Sequence, residues 1–539
     1  MMQFAFIQIV FLVLLILALV MVANKLKIAY PIILVVGGLL LSFIPMLRTV
    51  RIQPEWVFFI FLPPLLYEAS WQVSWKEFWK FRRVIGSFAF PVVIITACVI
   101  AFASVALIPG FTLALGFLLG AIISPPDAIA ATTIMRQVRV PKSLLSVAEG
   151  ESLLNDASSL IVFRFALAAI LTGQFLLQEA MVSFVLVVVM GIVIGLAVGV
   201  VFYAIHRWLP TTPSIEIVLT LVTPYCMYYA AEHFHFSGVL AVVAGGLFLS
   251  NRRLRILNYE TRMQAVNVWS SIVFVLNGFI FLLIGLQQPA IIRGLGDINL
   301  STAIGYGLII TLVLIVSRLL FALFASWFST FMSRFINVAD AHPGWKGPLI
   351  LGWAGMRGVV SLAAALSLPL LLMDGSPFPF RNLILFITFI VILITLVFQG
   401  LTLPWLIRKL KLEGQREEIP ERDQERMIQR KLAKASLDYL HEQPGLQSSD
   451  NKLLVNLRDR LNMELTAFTV ELEESENANS SGYRDFLQTY LGMLDHQRHY
   501  LDYINNNAAC DEDLIRKYQA LIDIEEFKVR SKLQPAGKV

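Results

Sequence analysis

The chain has 539 residues, of which 57% are hydrophobic and only 15% charged. A soluble domain carries about 25% charged residues, so this composition excludes an ordinary soluble enzyme and points to a membrane protein. The net charge of +5 is modest and spread over loops, which fits membrane orientation better than a nucleic-acid partner.

The charge is unevenly placed. Residues 411–539 hold 24 of the 38 acidic residues, and residues 1–410 hold the other 14. This divides the chain into a transmembrane domain, 1–410, and a polar C-terminal domain, 411–539. The three cysteines, Cys98, Cys226 and Cys510, form neither a disulfide framework nor a metal-binding spacing. No HExxH, phosphate-loop or GxSxG motif is present, and no cofactor is implied. The apolar N-terminus reads as a retained first span rather than a cleaved leader.

A bilayer core needs roughly 20 apolar residues per helix. On that measure the sequence predicts thirteen spans, at 4–23, 28–46, 54–71, 84–108, 111–135, 147–171, 180–205, 214–232, 236–250, 266–287, 301–328, 347–372 and 382–407. Lys and Arg favour cytoplasmic loops. The odd-numbered loops hold sixteen of them, from Lys25 to Lys346, and the even-numbered loops hold Arg48, Arg51, Arg293 and Arg381. This asymmetry predicts an outside N-terminus and a cytoplasmic C-terminal domain.

Ionisable residues inside a span cost a few kcal/mol, and function or pairing keeps them there. The candidate carboxylates are Glu68, Asp127, Glu149, Glu151, Asp156 and Glu216, and the candidate cations are Arg164, Arg318 and Arg357. Span 5 contains Ser124-Pro125-Pro126-Asp127. Two prolines remove backbone donors and disfavour helix before them, so the helix is expected to break beside Asp127. Span 6 contains Glu149-Gly-Glu151-Ser152-Leu-Leu-Asn155-Asp156. Glu149, Ser152 and Asp156 share one helix face, and Glu151 and Asn155 an adjacent one. Carboxylate, hydroxyl and amide oxygens within two turns suit a hard monovalent cation.

Arg318, alone in span 11, needs a carboxylate partner, and Glu151 is the candidate. Arg164, two turns beyond Asp156, either reaches the outer surface or pairs with a carboxylate. Glu68 sits near a span end. Span 12 contains Gly352-Trp-Ala-Gly355-Met356-Arg357-Gly358, which suggests a second unwound segment. Spans 5 and 12 occupy equivalent places if spans 1–6 and 8–13 are two inverted six-helix repeats. Matched broken helices in such repeats place an ion site between them.

The C-terminal domain is expected to be small and helical. Leu454, Leu457, Leu461, Leu465, Phe468 and Leu472 recur at helical spacing, and apolar residues return through 484–504 and 514–527. The stretches 443–451 and 475–482 read as linkers, with a charged linker at 411–426. A domain that packs on itself or a partner and a regulatory one are both open.

Gly150-Glu151-Ser152-Leu153-Leu154-Asn155-Asp156-Ala157, together with Phe61-Leu62-Pro63-Pro64, Gly355-Met356-Arg357-Gly358 and the isolated Arg318, carries a resemblance. The sequence resembles bacterial sodium/proton antiporters of the monovalent cation:proton antiporter-1 family, related to NhaP and to animal sodium/proton exchangers. The resemblance covers the whole membrane part and implies an all-α polytopic protein of the plasma membrane. It implies that Asp156 binds Na+ or the transported proton, with Asn155 as structural companion and Ser152 as an additional ligand. The Asn-Asp pair accompanies electroneutral one-for-one exchange. It further implies that Glu151 pairs with Arg318, that Arg357 stabilises the helix crossing, that Asp127 lies in the span-5 break, and that the protein is a homodimer. Pro126 before Asp127 and Ala128 after it depart from the family's usual Thr-Asp-Pro or Val-Asp-Pro.

Exchange of K+ or of several alkali cations for H+ is the alternative within transport. An intramembrane aspartyl protease would need a Tyr-Asp and a Gly-x-Gly-Asp motif within its spans; the first is absent, and the second occurs only at Gly294-Leu295-Gly296-Asp297, between spans 10 and 11. A cation-sensing receptor with the C-terminal domain as output is a third reading. Ion flux in proteoliposomes separates a transporter from both.

Overall fold

The computed structural model describes residues 2–26, 29–44, 54–138, 140–173, 177–296, 298–332, 344–372, 374–411, 421–442, 454–459, 461–462, 465, 481–507 and 512–533. The chain forms two compact units, Met1–Glu413 and Gly414–Val539.

The first unit is built from α-helices. They are α1 (Met2–Leu26), α2 (Tyr30–Leu41), α3 (Pro54–Gln72), α4 (Trp75–Leu107), α5 (Leu113–Ile123), α6 (Ala128–Gln137), α7 (Lys142–Thr172) and α8 (Leu177–Trp208). There follow α9 (Pro213–His233), α10 (Gly238–Asn251), the single turn α11 (Arg253–Ile256), α12 (Tyr259–Arg293), α13 (Leu300–Met332), α14 (Lys346–Trp353), α15 (Val359–Leu366) and α16 (Arg381–Leu410). Among the described residues, eight helices are long and apolar enough to cross a membrane, and three shorter helices are also apolar. The protein is thus an all-helical, multi-pass membrane protein.

Helix starts follow local chemistry. Thr112, Thr212, Ser237 and Asn258 each accept a backbone N–H three residues on, capping α5, α9, α10 and α12. Two helices contain a π turn, at Phe88–Val92 in α4 around Pro91, and at Thr395–Gln399 in α16. Such turns displace a helical hydrogen bond and free a backbone carbonyl. Small residues allow close packing: Gly116 and Gly120 of α5 lie on Ala101 and Ala97 of α4.

The helices pack in two groups. One gathers α4–α7 with α13, α14 and α16. The other gathers α1–α3 with α8–α10 and α12. α15 touches both. α4 begins nine residues before the predicted span, because Trp75–Arg83 is an amphipathic entry whose Phe78 and Phe81 are buried while Lys76, Lys80, Arg82 and Arg83 are exposed.

The second unit contains α17 (Glu421–Glu442), α18 (Ser481–Asn507) and α19 (Glu512–Leu533). Leu494 and Val529 form a small core between α18 and α19, with Tyr490, Leu491 and Ile522 packed on it. Arg498 of α18 pairs with Asp523 of α19 at 2.6 Å and with Glu526. Two predicted linkers extend too far. Glu421–Arg426 and Ser481–Gly482 are helical, since each is the polar start of a helix whose apolar face comes later. The predicted face at 454–472 is helical at 454–459, and Phe468 and Leu472 lie outside the described residues.

Candidate functional site

The site begins with the break between α5 and α6. The last α5-type bond runs from Ser124 N to Gly120 O at 2.9 Å. Pro125 and Pro126 then have no N–H to give, and the helix stops. In an unbroken helix the Asp127 amide would donate to Ile123 O. It donates instead to Met356 O, at 2.7 Å, in the other interrupted segment. Asp127 immediately precedes α6, so its carboxylate lies at a helix N-terminus, where the backbone dipole favours negative charge.

The second break separates α14 from α15 at residues 354–358. Arg357 sits there, 0% exposed. Its Nε donates to Ile123 O at 2.8 Å and its Nη2 to Ser124 O at 3.2 Å. These are carbonyls left without helical partners where the chain turns away after Ser124. Nη1 donates to Gly355 O, and the Arg357 amide donates to Thr395 Oγ1 at 3.2 Å. The guanidinium thus caps the C-terminal end of α5, where positive charge is favoured. The glycines are sterically required. A Cβ on Gly358 would overlap the Asp127 carboxylate, and one on Gly355 would collide with the Arg318 side chain.

α7 crosses beside both breaks. Asn155 Nδ2 donates to Pro126 O at 3.1 Å, tying α7 to the first break. Asn155 Oδ1 is buried without a hydrogen-bond partner among the described residues. Asp156 is 8% exposed and lies within the electrostatic field of Asp127. Among the described residues, no protein group donates a hydrogen bond to the Asp156 carboxylate. Ser152 is half-buried one turn earlier on α7.

Glu151 faces away from this pair of acids. Its Oε1 accepts from Arg318 Nη2 at 2.8 Å, and both side chains are buried. Arg318 Nη2 also lies 3.4 Å from Leu351 O of α14. One buried ion pair therefore joins α7, α13 and α14. Glu149 leaves the group: it pairs with Arg136 of α6 at 2.6 Å, and Arg136 is largely exposed. Arg164 pairs with Glu232 at the end of α9. Glu68 accepts from Gln72, one turn on.

Several contributors gave no signal in the sequence. Ser158 donates to Ala89 O at 2.5 Å, a carbonyl at the π turn of α4. Thr395, at the π turn of α16, holds the Arg357 amide. Gln399, one turn later, is fully buried and its amide has no partner among the described residues. π turns leave no mark in hydrophobic periodicity, so only the structure locates these residues.

Two interrupted helices that cross at a buried arginine, flanked by two acids, are the kind of arrangement from which membrane transporters are built. The profile for "Sodium/hydrogen exchanger, transmembrane" matches residues 10–409. The chain belongs to the sodium/hydrogen exchanger family. It is 36% identical over 383 residues to the sodium, potassium, lithium and rubidium/H(+) antiporter of Bacillus subtilis, covering 69% of this chain and 57% of that protein. It is 33% identical over 472 residues to the Na(+)/H(+) antiporter ApNhaP of Aphanothece halophytica, covering 87% and 86%. The sodium proton antiporter MjNhaP1 of Methanocaldococcus jannaschii has a similar fold, with a TM-score of 0.61 and 18% identity, over 77% of this chain and 100% of that one.

Proposed function

We propose that Asp156 is the carboxylate at which this chain exchanges Na+ for H+, one for one. The chain is a secondary active antiporter and not an enzyme. The observation that carries the reading is the buried Asp156 carboxylate, which receives no hydrogen bond from the described residues, beside the free Asn155 Oδ1. An anion in such a place is costly to leave bare. A bound Na+ neutralises it, and so does a proton, so the two compete for the same oxygens. Each loaded state is neutral and can cross, whereas the empty anionic state is held back.

The charges at the crossing support this stoichiometry. The crossing carries three acids, Asp127, Glu151 and Asp156, and two arginines, Arg318 and Arg357, which leaves one acid over. In this reading Asp156 binds the ion, Ser152 and Asn155 lend oxygens, and Asp127 contributes from the first break. The Arg318–Glu151 pair holds α7 against α13, and Arg357 holds the crossing.

The same reading gives thirteen crossings in two inverted repeats, an outside N-terminus, a cytoplasmic domain at 411–539, a bacterial inner-membrane location and a homodimer. The sixteen-to-four loop asymmetry supports the orientation, and the two interrupted helices support the repeat. A second reading keeps the mechanism and widens the cargo. The Bacillus subtilis relative is named for four alkali cations, so this chain would also exchange K+ or Li+ for H+. Proteoliposomes given Na+, K+ and Li+ in turn, with a trapped pH indicator, test both. Na+-driven proton movement that disappears in Asp156→Asn is expected. Coupled exchange retained by that variant would overturn the assignment.

A further inference from the structure

Arg164 lies on α7, eight residues beyond Asp156, or about 12 Å along the helix axis. It is far from the Glu151–Arg318 pair and takes no part in the crossing. Its Nη2 donates to Glu232 Oε1, and its Nη1 donates to Phe236 O at 3.3 Å. Both partners belong to the hairpin joining α9 and α10.

The hairpin is built to receive this guanidinium. Three backbone bonds fix its turn, from Phe234 and Phe236 to Ala231 O and from His235 to Glu232 O. His235 adopts a φ of 61°, which closes the turn. Glu232 Oε1 also accepts the Gly238 amide at 3.1 Å, at the start of α10. A Cβ on Gly238 would sit 2.7 Å from that oxygen and 2.7 Å from the Tyr228 ring. The carboxylate is therefore seated in a pocket that only glycine leaves open.

This contact joins the two helix groups. α7 belongs with the interrupted helices, whereas α9 and α10 belong with α1–α3, α8 and α12. The pair is partly exposed, with side chains 37% and 28% accessible, unlike the buried Arg318–Glu151 pair inside one group. A partly exposed pair separates at less cost than a fully buried one, whose desolvated charges cannot be left alone. The internal pair suits a permanent joint, and the pair between groups suits a contact that opens and closes.

We propose that Arg164 and Glu232 form a latch that holds the far end of the ion-site helix against the α9–α10 hairpin and must open in every transport cycle. The inference rests on the antiporter reading, in which Asp156 is exposed alternately to the two sides of the membrane. With the N-terminus outside, the latch lies on the outer side, so the closed pair seals that side. Arg164 and Glu232 are positioning residues. They do not touch the ion.

The test uses the full chain in proteoliposomes, with Cys98, Cys226 and Cys510 replaced by serine and Arg164 and Glu232 by cysteine. A short bifunctional thiol reagent with a cleavable disulfide spacer then bridges the two positions. Exchange is expected to stop on bridging and to return on reduction. Undiminished exchange by the bridged protein would overturn the latch.

A second measurement covers loss of activity before bridging. In oriented vesicles, Glu232→Gln is expected to lower the apparent KM for Na+ supplied outside and to raise it for Na+ supplied inside. The reversal Arg164→Glu with Glu232→Arg is expected to return both towards wild type. Equal shifts on the two sides, or no rescue by the reversal, would contradict the proposal. A wild-type chain that exchanges no ions would overturn the antiporter reading itself and the latch with it.

Discussion

The two interrupted helices break by different chemistry. Pro125 and Pro126 end α5 by removing donors, and the segment they leave is rich in unpaired carbonyls and ends in an acid. Gly355 and Gly358 open the other break by removing side chains, and the segment between them carries a cation. Each break supplies what the other lacks. Arg357 fills the carbonyls of Ile123 and Ser124, Met356 O takes the Asp127 amide, and Gly358 makes room for the Asp127 carboxylate. Irregular backbone survives in a membrane only where protein or water satisfies it. Here each break satisfies the other, so neither is expected to hold its shape alone.

Arg357→Ala is the strongest way to break this arrangement. It strands the carbonyls of Ile123, Ser124 and Gly355, and each buried polar group left without a partner costs about 1–3 kcal/mol. Loss of folded protein and of exchange is expected. Arg357→Lys should not rescue it, because an ammonium cannot reproduce the planar fork. Size-exclusion profiles and flux measurements on both variants check this.

Arg318→Ala should come next, at about 3–5 kcal/mol, through the charge left on Glu151. A double-mutant cycle with Glu151→Gln should show strong coupling in thermal stability. Additive losses would mean that the pair does not act as a unit.

Gly358→Ala tests the fit of the two breaks more gently. Overpacking of this kind costs about 1–3 kcal/mol. Exchange should fall roughly tenfold while the protein remains folded, because Asp127 is displaced. Gly86→Ala is the control, since a Cβ there meets nothing within 4 Å.

The smallest effects belong to the C-terminal unit. Removal of everything after residue 420 should leave exchange measurable. Within that unit, Arg498 and then Arg530 hold the Glu526 carboxyl below its ordinary value. A depressed carboxylate contributes stability above its unfolded value and loses it as pH falls through the folded value. The α18–α19 pairing should therefore be full at neutral pH and loosen below about pH 4. The change is slight, because exposed pairs contribute little. Limited proteolysis of the full-length protein across this range would detect it.

Much of the crossing was legible in the sequence, for reasons that are local. Two adjacent prolines remove two helical donors, which ends α5 before Pro125 although α3 runs on through Pro63 and Pro64, and glycines around an arginine within an apolar run mark a place where backbone is closely approached and a cation is held inside protein. Arg318 pointed to Glu151 because the surrounding span offered nothing else polar enough to hold it. Arg164 had no such guide. Its partner, Glu232, is the last residue of a predicted span and reads as an interfacial acid, and only the packing of α7 on the α9–α10 hairpin brings the two together. Glu149 shared a helix face with Asp156 in the spacing, yet it lies nearer the α6 end, and Arg136 captures it. Thr395 and Ser158 were hidden for another reason. Hydroxyls in membrane helices commonly bond back to their own backbone, and nothing in the pattern marks these two as reaching a neighbouring segment.

The central claim is that one carboxylate carries either a sodium ion or a proton, so that each turnover moves no net charge. Sodium uptake driven by a fixed pH gradient, measured in proteoliposomes while potassium and valinomycin set the membrane potential, tests it directly. The account predicts the same initial rate and the same final accumulation at every potential. Sodium accumulation that rises with an inside-negative potential, or a potential generated by exchange itself, would contradict it.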